Sequence, residues 1–377
     1  MKKQLLSFAV MLSATLFTAC MDNDGVPNKR PVLSANGVYV AGSGNTANGI
    51  PGNLTYYDYA TKSATKNAFD RVNGSSFGNS LLNDVMCYGD QTYIVADDEN
   101  TVFVADAKTF ELKKRINLIE LMGSDKGSHP RRITANGDRI YVSTYSGYVA
   151  AIDTANYALQ ETYEVGSYPE GLVITGGYLF VANSDYGNGN ASISMIDLGT
   201  RQVKTLTHEN IRNPQEIAVN VAGSDVYYLD YGQYGAAPDY VQEHAGVYCF
   251  HLASNTVDKI VPDATGMACY GTSIFTFNNA NGVEKTTYTI YDIQTKSSKT
   301  FEPMGIEIPA AIAIDPLTKY LFIASNRKLS GSAYADYSSE GFVNFYNPST
   351  MERLGSFGCG VGPTRIAFNN SIEYIEY

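Results

Sequence analysis

Apolar and polar positions alternate along four short runs between Arg132 and Val165: RITAN, RIYVSTY, GYVAAID and LQETYEV. Each run is rich in Val, Ile, Tyr and Thr and is bounded by Gly, Asp or Asn. A period of two with such boundaries predicts antiparallel strands joined by tight turns. The unit opens on His129-Pro130-Arg131-Arg132, and the next opens on Tyr168-Pro169-Glu170-Gly171. One such sheet leaves an apolar face uncovered, so it needs neighbours of its own kind.

The chain supplies them. Related units occupy 37–67, 83–116, 168–207, 213–261, 265–302 and 308–357, which with the first unit makes seven. The spacing from Pro130 to Pro169 is 39 residues and from Pro169 to Pro214 is 45. Four-strand repeats of this length predict an all-β, seven-bladed β-propeller. The unit at 37–67 lacks a first strand, and VGPTRIAFNN (361–370) is a lone first strand at the other end. The C-terminal strand is therefore expected to complete the first blade and close the ring.

The N-terminal stretch departs from this pattern. Lys2 and Lys3 precede a short apolar run that ends in Phe17-Thr18-Ala19-Cys20. A run this short reads as a cleaved secretory signal rather than a membrane span. It resembles a bacterial lipoprotein signal, which implies cleavage after residue 19 and lipidation of Cys20. Asp22 and Asp24 resemble the surface-export signal of Bacteroides-type lipoproteins. Residues 20–34 are expected to form the lipidated end and a flexible tether. Residues 35–377 then form a single propeller domain, lipid-anchored to the outer membrane and facing the exterior.

Composition narrows the partners. With 27 basic and 38 acidic residues, the chain is a poor candidate for nucleic-acid binding. Beyond Cys20, Cys87 and Cys269 fall in first strands, Cys249 in a third strand and Cys359 in a connecting loop. Their spacing makes neither a zinc motif nor a disulfide framework. There are 29 tyrosines and no tryptophan. Tyr39, Tyr93, Tyr141 and Tyr178 suit blade packing, whereas others fall in loops.

The loops joining second to third strands share one face with those joining successive blades. They are long and variable at 41–53, 184–192, 230–246, 278–286 and 325–341. The turns of the other face are tight. Insertions gathered on one face mark a binding face, and Tyr, Asn, Gly and Ser give it rigid area and adaptable hydrogen bonds. The candidate ligand-binding residues are Arg131, Arg132, Tyr145, Asn183, Tyr186, Asp230, Tyr231, Tyr234, Asn278, Arg327, Lys328 and Tyr334. Arg71 and Arg365 lie at connections, and Asp97, Asp98, Asp185 and Asp239 share the face. Solvated loops with ordinary charge balance are the plainer reading. SDYGNGN (184–190) offers oxygens at alternate positions, as a calcium loop would, but lacks a closing Glu.

Catalytic motifs lack their context. Gly74-Ser75-Ser76-Phe77-Gly78 fits G-x-S-x-G, yet it leads to a strand instead of a helix. Gly42-x-Gly44-x-x-Ala47 follows a strand without a helix to receive a pyrophosphate. The four histidines, His129, His208, His244 and His251, have no metal-ligand spacing. A lactonase-type propeller needs inward carboxylates around a channel metal, and Glu170 alone is expected near that place. The sequence therefore favours a protein without enzymatic activity and without a cofactor.

The repeated pattern of Pro, short strand, Gly-Asp turn and apolar-apolar-Asp-x-x-Thr runs over residues 35–370. Asp153–Tyr157 and Asp292–Thr295 show its last part. It resembles the seven-bladed surface-layer propellers of gut Bacteroidetes, closest in layout to their cobalamin-capturing surface lipoproteins. The opening ANGVYVAGSGN and the loop DYGQYGAAPDY belong to the likeness. This resemblance implies capture of a corrinoid and its delivery to a TonB-dependent outer-membrane transporter. A ferric siderophore is the related alternative, with Arg131, Arg132, Arg327 and Lys328 facing an anionic catecholate complex. A protein- or glycan-binding surface module is a further one.

Overall fold

A computed structural model describes residues 29–220, 223–235, 242–279 and 285–376. The signal segment, Cys20, residues 21–28 and Asp239 lie outside the described residues. Among the described residues, seven sheets each have a path of four antiparallel strands in chain order from the axis outward. Blades 2 to 7 span 82–117, 130–164, 169–206, 214–262, 266–300 and 308–361, and a further two-stranded sheet pairs Gln233–Tyr234 with Gln242–Glu243. Blade 1 is the exception in connectivity. Its inner strand is Pro363–Glu376, followed outward by Lys29–Gly42, Asn53–Asp58 and Ser63–Thr65. The ring therefore closes by pairing the two ends of the chain. That pairing runs from Gly42 opposite Pro363 to Lys29 opposite Glu376. Lys29–Ser34, part of the stretch expected to be a tether, are thus paired in this ladder. Both partners there alternate well enough to ladder, so backbone pairing overrides the polar composition.

Hydrophobic alternation is explained by what lies between the blades. Seven clusters of buried apolar residues each join two neighbouring sheets. Val38, Val40 and Tyr57 of blade 1 meet Phe322, Val343 and Phe357 of blade 7, which seals the joint. Tyr57 and Phe357 stack there with centroids 4.4 Å apart. The expected packing tyrosines behave accordingly: Tyr39, Tyr93 and Tyr141 are buried, and Tyr178 is half-buried. Cys87, Cys249 and Cys269 lie in the strands expected, and all four described cysteines are free.

Cys359 is a correction. It lies buried in an outer strand, Arg353–Val361, and not in a loop. The flanking glycines look like a loop in sequence, but a Cβ on Gly360 would fall 1.7 Å from Asn53 Oδ1. Glycine lets this strand press against blade 1. Two short helices, Ala68–Asn73 and Leu118–Met122, were also missed because each is too short for a helical period. The first leads from blade 1 to blade 2 and buries Phe69 on Phe77, centroids 4.5 Å apart. Phe77 belongs to the G-x-S-x-G stretch, which is thereby a packing element.

The apolar-apolar-Asp-x-x-Thr pattern is the turn from third to fourth strand. Asp106 accepts from the backbone N–H groups of Lys108 and Thr109 at 2.9 and 3.0 Å, and Asp153 accepts from Ala155 and Asn156 at 2.8 and 2.9 Å. Asp58, Asp197, Asp292 and Asn347 cap the same turn in blades 1, 4, 6 and 7. Four residues on, the backbone turns left-handed at Lys62, Phe110, Tyr157, Arg201, Asn255, Lys296 and Met351. Blade 5 keeps this backbone but carries His251 at the capping position.

Candidate functional site

The inner strands decide which side chains face the axis. Near the start of each, pairing slips by one residue in blades 1, 2, 3, 4, 5 and 7. Such bulges re-aim side chains, and here they turn charged ones into the channel: Asp84, Arg131, Arg132, Glu170, Glu216 and Arg365. Gly171 sits among them because a Cβ would meet Gln215 O at 2.7 Å. That close approach brings the inner strands of blades 4 and 5 together.

These charges form one network. Arg131 donates from Nη1 to Asp97 Oδ2 at 3.1 Å and from Nη2 to Glu170 Oε1 at 3.0 Å. Arg132 lies 3.9 Å from Glu170 Oε2 and 3.7 Å from Glu216 Oε1. Arg365 of blade 1 reaches across the axis to Glu216 of blade 5 and lies 3.8 Å from Asp84. Three guanidiniums thus meet four carboxylates, Asp84, Asp97, Glu170 and Glu216, and the throat is bridged by ion pairs. Burial raises the Asp84 carboxyl against the pull of Arg365 and Arg132. Burial and then Arg365 lower Arg132. For Arg365, Glu216 and Asp84 outweigh burial and the net shift is upward. Removing one partner would leave a charge without water or counter-ion, so these groups act as a unit.

Above this floor stands an aromatic wall. The Tyr145 hydroxyl donates to Glu170 Oε1 at 2.5 Å, and the Arg131 guanidinium lies over its ring at 4.2 Å. Burial, then Glu170, pushes the Tyr145 phenol strongly up. Tyr145, Tyr168 and Tyr186 meet edge to face, with centroids 4.6 to 5.3 Å apart. Tyr168 and Tyr186 hold left-handed backbone at φ 50° and 49°, as do His129 and Asp185 at 55° and 46°. Such strain gathers where function requires a fixed side-chain direction. Five of the six exposed tyrosines among the described residues, Tyr168, Tyr186, Tyr234, Tyr334 and Tyr337, lie on this face. The Tyr234 phenol of blade 5 is raised by burial and then by Tyr337 of blade 7. Tyr231 is pushed up to about 12 by burial and then Glu216.

The remaining candidates separate. Asn183 is fully buried and donates to Ser192 and Ser194 at 3.1 and 3.0 Å. Asp230 is equally buried and accepts from the N–H groups of Arg212, Asn213 and Gly232. Both hold loop roots and present nothing to a ligand. Asn278 is half-buried and ends a strand opposite Thr287. Arg327 pairs with Glu307 at 2.6 Å and lies over Phe342, while the Lys328 N–H donates to Glu307. The calcium loop is closed on itself, since Asp185 Oδ2 accepts from Asn190 N at 2.8 Å. Glu170 has company that sequence reading missed: Asp84, Glu216 and Arg365 also face the channel. Only their place two residues beyond Pro or its equivalent signals this.

Two clefts of about 670 Å³ open between neighbouring blades toward the same face. One, between blades 6 and 7, is lined by Asn279, Lys285, Glu302, Glu307 and Lys328. The other, between blades 4 and 5, is lined by Asn190, His208, Arg212 and Gln233. Volumes of this size suit small-molecule recognition.

Comparison with known proteins gives the fold and a partial family match. The family model described as a domain of unknown function, DUF5074, matches residues 36–218. No curated protein matches the sequence. Among solved structures, hydrazine synthase of Kuenenia stuttgartiensis is similar at a TM-score of 0.57 with 16% identity, over 78% of this chain and 95% of that one. A chain of a mitotic checkpoint complex is similar at 0.56 with 11% identity, over 86% and 96%. At these identities the likeness is one of fold. The chain is a seven-bladed β-propeller protein whose first half matches the DUF5074 model.

Proposed function

We propose that this protein is a non-catalytic, lipid-anchored capture module for a bulky, nearly neutral small molecule, a corrinoid being the favoured class. It would pass that ligand to a TonB-dependent outer-membrane transporter. The carrying observation is the set of tyrosines standing over a floor whose charges are already paired. Aromatic area and hydrogen bonds are offered, while Arg131, Arg132 and Arg327 are each engaged by carboxylates. A polyanionic siderophore would have to break these pairs, which weighs against the catecholate alternative. The rigid ring presents its mouth preformed, so little ordering opposes binding. The two radial clefts give a large ligand room for peripheral groups.

Calorimetry with cobalamin, cobinamide and ferric enterobactin tests this reading. Binding of a corrinoid tighter than ~10 μM, a weak affinity by ordinary standards, is the expected result. Failure of both corrinoids at that level rejects it, and binding of ferric enterobactin alone transfers the role to the siderophore. The anchor is tested separately: Cys20→Ala should release the protein or halt its processing. Antibody that labels lysed but not intact cells would contradict surface display.

A further inference from the structure

We propose that Asp225, Cys249 and His251 form a divalent metal site of the zinc type on blade 5. The register places all three on one face of the sheet. Asp225 pairs directly with His251, and Cys249 lies two residues before His251 on the same strand, Gly246–His251. Their ligand atoms, Oδ1, Sγ and Nδ1, lie within 4.8 Å of one another. The site is remote from the tyrosine mouth, at the end of the blade where the tight turns lie.

The distances approach those of a tetrahedral centre. Bonds of about 2.0 Å to N and O and about 2.3 Å to S imply ligand separations of about 3.3 to 3.6 Å. Sγ lies 3.8 Å from Nδ1, and Oδ1 lies 2.6 Å from Nδ1. Opening the second by about 0.7 Å completes three corners of that tetrahedron, and water supplies the fourth. The thiol proton and the proton shared by His251 Nδ1 and Asp225 Oδ1 both leave to solvent as the metal bonds form.

The surroundings orient these ligands as an outer shell does. His251 Nε2 lies 3.2 Å from Asp258 Oδ2, which would hold an N–H on Nε2 once a metal replaces the proton that Nδ1 shares with Asp225. Asp225 Oδ2 accepts from Asn220 Nδ2 at 2.7 Å and from Ser224 Oγ at 3.1 Å, which aims Oδ1 inward. Cys249 is buried, shielded against blade 6 by Tyr227 and Tyr291. The repeat gives independent support. Six blades cap the outer turn with Asp or Asn, and blade 5 alone substitutes the imidazole while keeping the turn's backbone. The turn's closing bond, from Asn255 N to the His251 carbonyl at 2.9 Å, is one that blades 2, 3, 4 and 7 also use, while the ring turns to Asp225 and Asp258.

Titration of the full-length, chelator-treated protein with Co²⁺ tests the site. One equivalent should produce a thiolate-to-cobalt charge-transfer band that Zn²⁺ abolishes and that Cys249→Ser lacks. Asp258→Asn alters a largely exposed side chain outside the ligand set. It should retain the band and weaken cobalt affinity by about 10- to 100-fold, the usual cost of losing an outer-shell partner. Absence of a band at excess Co²⁺, or a band that persists in folded Cys249→Ser, overturns the proposal. Should Cys249→Ser fail to fold, unchanged cobalt affinity in Asp258→Asn overturns it instead.

Discussion

Asp106 shows how much one side chain of the repeat does. Its carboxylate accepts from the Thr109 and Lys108 N–H groups and meets Lys113 Nζ at 3.0 Å, which lowers its pKa to about 2. Because the folded value lies below the unfolded one, the cap stabilises fully above pH ~4 and its contribution is lost as pH falls toward ~2. The amount is at most about 2 kcal/mol. Asp106→Asn keeps an accepting oxygen, as Asn347 does in blade 7, but has no charge to titrate. Urea unfolding at pH 7 and pH 3 should show a smaller acid loss in that variant; an equal loss would contradict the assignment. These caps were legible as a recurrent Asp-x-x-Thr. The ion pairs of Arg131 and Arg132 were not, because their partners Asp97, Glu170 and Glu216 come from three other blades.

Strands and their order followed from period-two alternation, since each blade buries both faces against its neighbours. What alternation left open was direction at the bulges. A slip at Pro130 or Pro214 re-aims Arg132 and Glu216 into the channel, and no local propensity encodes that slip. The described parts of the long loops share one face, with Asn183 and Asp230 buried at loop roots. Strand ends that must hold irregular backbone need buried polar groups to do so. At this scale Phe322 is the sharpest test. It is fully buried in blade 7 and packs on Phe345 and Phe368, centroids 5.2 and 5.4 Å away. Phe322→Ala should cost about 3–5 kcal/mol in denaturant unfolding. A loss below about 1 kcal/mol would mean that this interface repacks freely.

The molecule as a whole depends on one joint. The inner strand of blade 1 comes from the C-terminal end and brings Ile366 and Phe368 into the cluster shared with blade 7. Truncation after Cys359 removes both and bares the edge of Lys29–Gly42. Both side chains are partly buried, so their loss alone is worth less than the roughly 3–6 kcal/mol of two fully buried ones, and the open edge adds an aggregation hazard. An unchanged melting temperature in the truncated protein would contradict closure by this strand. Lys29 pairs at the far end of the inner strand, away from the tyrosine mouth at Pro363.

The proposed capture rests on a tyrosine mouth over a floor whose charges are already paired. The most direct measurement is cobalamin affinity by calorimetry at ~10 and ~500 mM salt, for wild type and for Tyr168→Ala/Tyr186→Ala. Screening lengths at these extremes are about 30 Å and a few ångströms. The account predicts an affinity nearly independent of salt and weakened at least about tenfold in the double variant, roughly 1.4 kcal/mol. Wild-type affinity that collapses as salt rises, or a double variant that binds as tightly as wild type, would contradict it.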